Sequence, residues 1–202
     1  MKLVVATRNR KKLLEIKEIL NGMDLTLLSL DGYKNSPQVI ENGKTFKENA
    51  VKKAVKLAQF TDEFCLGEDS GLCVDALNGA PGIYSARFSG REKSDIKNNL
   101  KILTLLKDLP LAKRKAHYVC AVALADKRGL VAVVEGRCNG LISFESKGAA
   151  GFGYDPVFYI PKFKKTFAQL GEKIKHKMSH RHHALKQAKL IIQKYIVKQE
   201  AS

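Results

Sequence analysis

Gly67-Glu68-Asp69-Ser70-Gly71-Leu72 follows directly on the apolar run Phe64-Cys65-Leu66. Two carboxylates and a hydroxyl stand side by side, with glycine on both flanks. Two readings compete. An Asp-Ser-Gly stretch is a common solvated turn. Carboxylates at a strand end are also where open α/β sheets place ligand chemistry. Either way, the pattern predicts a strand over 63–67 that stops here and a separate short apolar segment over 72–77.

Outward from this point the chain alternates strand and helix signals. Residues 2–6 read as a short buried strand, and 10–21 as a helix with Leu13, Ile16 and Leu20 on one stripe and Gly22 at its end. Residues 25–30 read as a second strand, and 31–43 as a loop. Thr45-Phe46-Lys47-Glu48 has the capping-box pattern and opens a helix to about Phe60. Asn78 to Gly82 is a turn. Ser94 caps a helix over 95–107, with Ile96, Leu100, Leu103 and Leu106 in register. Strands over 116–125, 130–138 and 140–146 are expected to be joined by turns at Asp126–Gly129 and Asn139-Gly140. Gly148 to Gly153 is a glycine-rich loop, and 157–160 a short strand. Ser179 opens a last helix, with Leu185, Ala188, Ile192 and Tyr195 inward. The pattern is mixed α/β.

The 202 residues fit a single domain spanning 1–202, in one or two lobes, and 45% hydrophobic residues suffice for a sizeable core. No apolar run approaches the roughly 20 residues that cross a bilayer. The N-terminus lacks a signal-peptide pattern, so a cytoplasmic protein is expected. Cys65, Cys73, Cys120 and Cys138 form no CxxC and read as reduced thiols in apolar segments. The net charge of +16 points to anionic partners, either nucleotides or nucleic acid.

Five stretches carry chemistry. Thr7-Arg8-Asn9-Arg10-Lys11-Lys12 lies between the first strand and helix, where unpaired amides suit a phosphate; it also suits a plain N-cap. Gly43-Lys44-Thr45 ends like a phosphate-binding loop, but Gln38 stands where its first glycine should be, so that motif is rejected. Glu41 and Glu48 nearby are acidic candidates. In the central stretch, an acidic residue facing a highly charged anion needs a metal between the two, so Asp69 implies Mg²⁺, and Ser70 can donate to a phosphate oxygen. Gly151-Phe152-Gly153-Tyr154-Asp155-Pro156 sets aromatics among glycines, which suits a flat ring against exposed backbone, with Asp155 reading a base or sugar edge, and equally suits a turn with core aromatics. Lys175 and Ser179-His180-Arg181 place cations in a first helical turn, where a bound anion or carbonyl would offset the dipole.

Taken together and in order, these pieces resemble the inosine triphosphate pyrophosphatase family. The matching motifs are ATRNRKK at 6–12, TFKENAVKKA at 45–54, GEDSGLCVDALNGAPGIYSARFSG at 67–90, GFGYDPVF at 151–158 and KHKMSHRHHAL at 175–185. The resemblance implies hydrolysis of non-standard purine nucleoside triphosphates (ITP, dITP, XTP) to the monophosphate and pyrophosphate, with Mg²⁺. It implies an elongated mixed sheet flanked by helices, two lobes with a central nucleotide-binding cleft, and a homodimer. By the same resemblance Asp69 is general base and metal contact, and Ser70 a substrate contact. Glu41 and Glu68 support the metal. Thr7, Asn9 and Lys12, with Arg8, Arg10 and Lys11 of the same motif, form the phosphate turn. Phe152, Gly153, Tyr154 and Asp155 pack on the nucleotide, Lys175 contacts it, and His180 and Arg181 read the purine 6-oxo edge. Arg8 stands where the family often has glycine, and 176–178 is unusually basic.

A donor-rich edge favours a 6-oxo purine over adenine, because a buried donor facing an amino group is left unpaired. The rival reading is a basic nucleic-acid-binding protein. No RNA-recognition motif, DNA-binding helix pair or zinc ligand set supports it, so no stable nucleic-acid complex is expected. No membrane partner is expected either.

Overall fold

A computed structural model describes residues 1–200. Seven strands form one mixed sheet in the order β2-β1-β3-β4-β5-β6-β7. They are β1 (Lys2–Val5), β2 (Thr26–Ser29), β3 (Phe64–Val74), β4 (Lys115–Asp126), β5 (Gly129–Ile142), β6 (Phe158–Ile160) and β7 (Lys165–Thr166). β1 pairs in parallel with β2 and β3, Val4 lying opposite Leu28 and Cys65. β6 pairs antiparallel with β5 and β7. The helices are α1 (Arg10–Ile19), α2 (Phe46–Thr61), α3 (Asp95–Leu105), α4 (Phe167–Leu170), α5 (Glu172–Met178) and α6 (His180–Glu200).

By contacts the chain divides into two compact units. The first holds Met1–Asp69, Cys120–Gly136 and the chain from Arg181 on; the second holds Ser70–Val119 and Arg137–His180. The first unit's core joins Leu3, Val5, Ile16, Leu66, Val122 and Leu124 to the expected α6 face of Leu185, Ala188 and Ile192, with Tyr195 stacked on Phe64. The second unit's core joins Leu72, Val74, Ile102, Leu106, Tyr118 and Phe158.

The local signals explain the helix starts. Thr45 Oγ1 accepts from the Glu48 amide, and Ser94 caps α3 through the Lys97 amide. The Glu48 carboxylate reaches Lys44 N rather than the Thr45 amide, so the box closes one residue early.

Three expectations are corrected. GEDSG is no turn: β3 runs unbroken through it. Gly67 serves close approach instead, since a Cβ there would lie inside contact distance of the Ala50 carbonyl and 2.6 Å from Ala54 N on α2. Asn139-Gly140 is likewise inside β5, where a Gly140 Cβ would meet the Phe158 ring and the Tyr159 carbonyl at 2.7 Å. Finally, α3 buries only the C-terminal half of its expected stripe, Leu103 packing against the core and Leu106 lying within it. Asn98, Asn99, Ile102 and Leu106 face inward, while Ile96 is 81% and Leu100 63% exposed.

The four cysteines are free; Cys65, Cys120 and Cys138 are buried and Cys73 half-buried. Burial pushes the Cys65 thiol up to about 11 and Cys138 to about 12, and raises Cys120 as well. At pH 8 a native thiol titration should therefore read one fast group, Cys73, and four in denaturant. Two or more fast groups would mean that the strands carrying these thiols open readily.

Candidate active site

In the first unit, α1 begins on side-chain oxygens. Asn9 Oδ1 accepts from Lys11 N at 3.0 Å and Lys12 N at 3.2 Å, and Thr7 Oγ1 accepts from Asn9 N at 3.1 Å. Asn9 is thus an N-cap, and Thr7 shapes the turn before it. Arg8 donates to Ser36; Arg10 and Lys11 are exposed in a first turn that holds no acid. Lys12 reaches β3, with Nζ 3.4 Å from Glu68 Oε1.

Asp69 is buried on β3 and gripped from α2. Asn49 Nδ2 donates to its Oδ2 at 3.0 Å and Lys53 Nζ to its Oδ1 at 3.3 Å. The same ammonium lies 2.8 Å from Glu41 Oε2 and donates to the Glu68 carbonyl. Burial raises the Asp69 carboxyl above the usual range, and Lys53, Lys12 and Asn49 only partly offset it. Burial also pushes Glu41 up, but Lys53, Lys12 and Asp69 together outweigh it and leave that carboxyl below its ordinary value. So the two carboxylates sharing one lysine are driven apart.

Glu68 does something else. Successive strand residues point to opposite faces, so an unbroken β3 turns Glu68 away from Asp69. Its Oε1 meets Arg181 Nη2 at 3.1 Å and Cys120 Sγ at 3.5 Å, while Arg181 Nη1 pairs with Glu15. Arg181 is 1% exposed and Glu68 2%. Glu68 is thus a buried counter-ion, and the Arg181 guanidinium is turned to two carboxylates. Among the described residues no three His, Cys, Asp or Glu side chains gather as a metal-holding group.

In the second unit, the 151–155 loop is organised by Asp155. Its Oδ2 accepts from Phe152 N at 2.9 Å and from Lys175 Nζ at 2.7 Å, and its Oδ1 from the Tyr118 hydroxyl at 3.4 Å. Lys175 Nζ sits 4.4 Å from the Phe152 ring centre. Tyr154 is buried, with its hydroxyl on the Ser85 carbonyl at 2.7 Å. It packs in the core. Asp155 is 1% exposed, so it shapes the loop rather than presenting an edge. The His180 ring stacks on Tyr118 at 4.5 Å. Ser70 is half-buried, and Gly153 adopts φ +64°.

The Ham1 family model matches residues 3–191. The chain belongs to the Ham1 family. It is 46% identical over 200 residues to a dITP/XTP pyrophosphatase of Desulforamulus reducens, covering 99% of this chain and 100% of that one. It is 47% identical over 184 residues to the dITP/XTP pyrophosphatase of Geobacter sulfurreducens, covering 91% and 92%. The solved Staphylococcus aureus Ham1 protein superposes with a TM-score of 0.87 at 36% identity over 96% of this chain and 100% of that one. The Coxiella burnetii HAM1 protein gives 0.88 at 34%, over 96% and 99%.

Three residues that hold the candidate site's charged groups escaped the sequence reading: Lys53, Asn49 and Glu15. The signal was present. Asn49 and Lys53 stand one helical turn apart, as do Lys12 and Glu15, so each pair shares a helix face. A pH consequence follows from Lys53. Its positive charge lowers the Asp69 carboxyl, so removing it must raise that group further. If Asp69 acts ionised, activity falls with pH through a limb above the ordinary Asp value. Lys53→Met should shift that limb upward in the pH profile of kcat/KM; an unmoved or lowered limb would assign it to another group.

Proposed function

We propose that this protein hydrolyses non-standard purine nucleoside triphosphates (ITP, dITP, XTP) to the monophosphate and pyrophosphate, and that Mg²⁺ assists. The observation that carries the mechanism is Asp69, a buried carboxylate whose two oxygens are fixed by Asn49 and Lys53. Such a group can take a proton from an attacking water without reorienting. Raised by burial, it is also a better base than a solvated aspartate. Lys12 and the basic first turn of α1, which holds no acidic residue, offer positive potential to phosphates. Phe152 offers a ring face, and His180, held flat on Tyr118, offers its edge to a 6-oxo group. Lys175 and Arg181 enter as groups that hold Asp155 and Glu68 in place.

Carboxylate oxygens suit Mg²⁺, and an ammonium shared by Glu41 and Asp69 marks a place of negative potential. Glu41 and Asp69 are therefore the residues that would hold the ion. When bound, it neutralises phosphate charge and polarises the phosphoryl group. We also take the protein to be a cytoplasmic homodimer, which light scattering after size exclusion would read directly. Among the described residues no helix is long and apolar enough to cross a membrane.

The deciding test is product analysis by chromatography with ITP, XTP, ATP and GTP, each with and without Mg²⁺. IMP and pyrophosphate from ITP, with little product from ATP, is the expected result. IDP and phosphate would overturn the site of cleavage. A net charge of +16 favours one second reading, nucleic-acid binding. No turnover by folded protein, with binding that weakens steeply in salt, would favour that reading.

A further inference from the structure

Helix α3 leaves Ile96 and Leu100 exposed and turns two asparagines inward, and those asparagines hold loops. Asn98 Oδ1 accepts from Ser89 N at 2.7 Å, and its Nδ2 donates to the Ser85 and Ala86 carbonyls. Next along the same helix, Asn99 Nδ2 donates to the Gly153 carbonyl at 3.0 Å. Asp95, in the first turn, accepts from the Gly153 amide at 2.7 Å. Both backbone polar groups of Gly153 are thus pinned by α3 side chains, across 54 and 58 positions of sequence. Gly153 sits at φ +64°, and its neighbour is Phe152. The Asn99 amide oxygen is itself buried without a hydrogen-bond partner. A residue kept only for stability would not be expected to bury an unmatched acceptor beside two exposed apolar neighbours.

We propose that Asp95 and Asn99 are positioning residues for nucleotide binding: by clamping Gly153 they fix the Phe152 ring against which the base packs. The inference rests on the function proposed above. Base packing on Phe152 is equal in ground and transition states, so loosening it should raise KM and spare kcat. Asp95 is exposed at the start of α3, with Ser94 as the cap, so its replacement leaves the helix intact.

The test is steady-state ITP hydrolysis by the full chain. Asp95→Ala and Asn99→Ala are each expected to raise KM by up to about tenfold, the worth of one lost hydrogen bond, with kcat within about twofold. Asp95→Asn keeps an acceptor for Gly153 N and should restore KM. In a Phe152→Ala background, Asp95→Ala should have no further effect, because both act through the same ring. Unchanged KM in both variants overturns the proposal. So does a KM effect that is equally large without Phe152, or one that Asp95→Asn fails to rescue. If wild-type protein turns over no ITP, the proposed function falls, a failure distinct from wild-type turnover with insensitive variants. Should Asn99→Ala misfold, Asp95→Ala alone decides.

Discussion

Asp69→Asn should fold as well as the wild type or better, and lose on the order of 10²–10⁴-fold in kcat for ITP. The two halves of that result have one cause. Burial raises the Asp69 carboxyl, so the folded state holds its proton more tightly than the unfolded chain does. Its contribution to stability is therefore largest below the ordinary Asp value and is lost as pH rises through the raised one. At neutral pH the ionised group costs stability, and the isosteric amide removes that cost. The introduced amide can still meet Lys53 through its oxygen, at the expense of the Asn49 hydrogen bond, but it cannot act as a base. Thermal melts at pH 7 and single-turnover rates would be measured side by side. A wild-type rate would remove Asp69 from the chemistry; a large fall in melting temperature would make it structural instead.

Arg181→Met is the change expected to cost most in stability, about 3–5 kcal/mol. Arg181 is buried with Glu15 and Glu68, and methionine matches its stem but leaves two carboxylates facing each other without their shared cation. Lys12, 3.4 Å from Glu68, covers only part of the loss. In the variant, both carboxyls should titrate higher in the folded state than in the unfolded one. Its stability should therefore recover as pH falls, the reverse of ordinary acid behaviour. Urea melts from pH 7 to pH 5 would read this. A loss under about 1 kcal/mol, or one independent of pH, would mean that the ion pair is hydrated and incidental.

What the sequence disclosed and what it hid divide along a physical line. Signals settled within one turn of chain were legible: the Thr45 and Ser94 caps, the inward α6 face and the glycine-rich loop at 148–153. Glycine misled where its role is decided by a distant neighbour. Gly67 and Gly140 read as punctuation because a missing Cβ looks the same in a turn and in a tight contact. Once β3 is unbroken, alternation separates Glu68 from Asp69, and the adjacent carboxylates cease to be a pair. The face of α3 was misread for a related reason. Hydropathy favours Ile96 and Leu100 inward, but Asn98 and Asn99 find loop partners far along the chain. Asp69, Lys12 and the Phe152 loop were proposed from motifs, and Glu41 from its place in the loop before α2. Lys53 was within reach by helical spacing from Asn49, and Arg181 was located but not its counter-ions.

The contact at Gly67 also bears on how the site ages and tolerates change. Asn49 and Lys53 flank Ala50 and Ala54, the residues whose backbone comes against the glycine. The spacing between α2 and β3 beside Asp69 is therefore set by main chain resting on main chain. Side-chain packing relaxes gradually when a core residue is trimmed or the temperature climbs; a backbone seat holds until the strand or the helix itself gives way. Sequence drift through the surrounding hydrophobic interior should leave catalysis almost untouched, and on heating, activity should vanish abruptly with the fold rather than fade ahead of it.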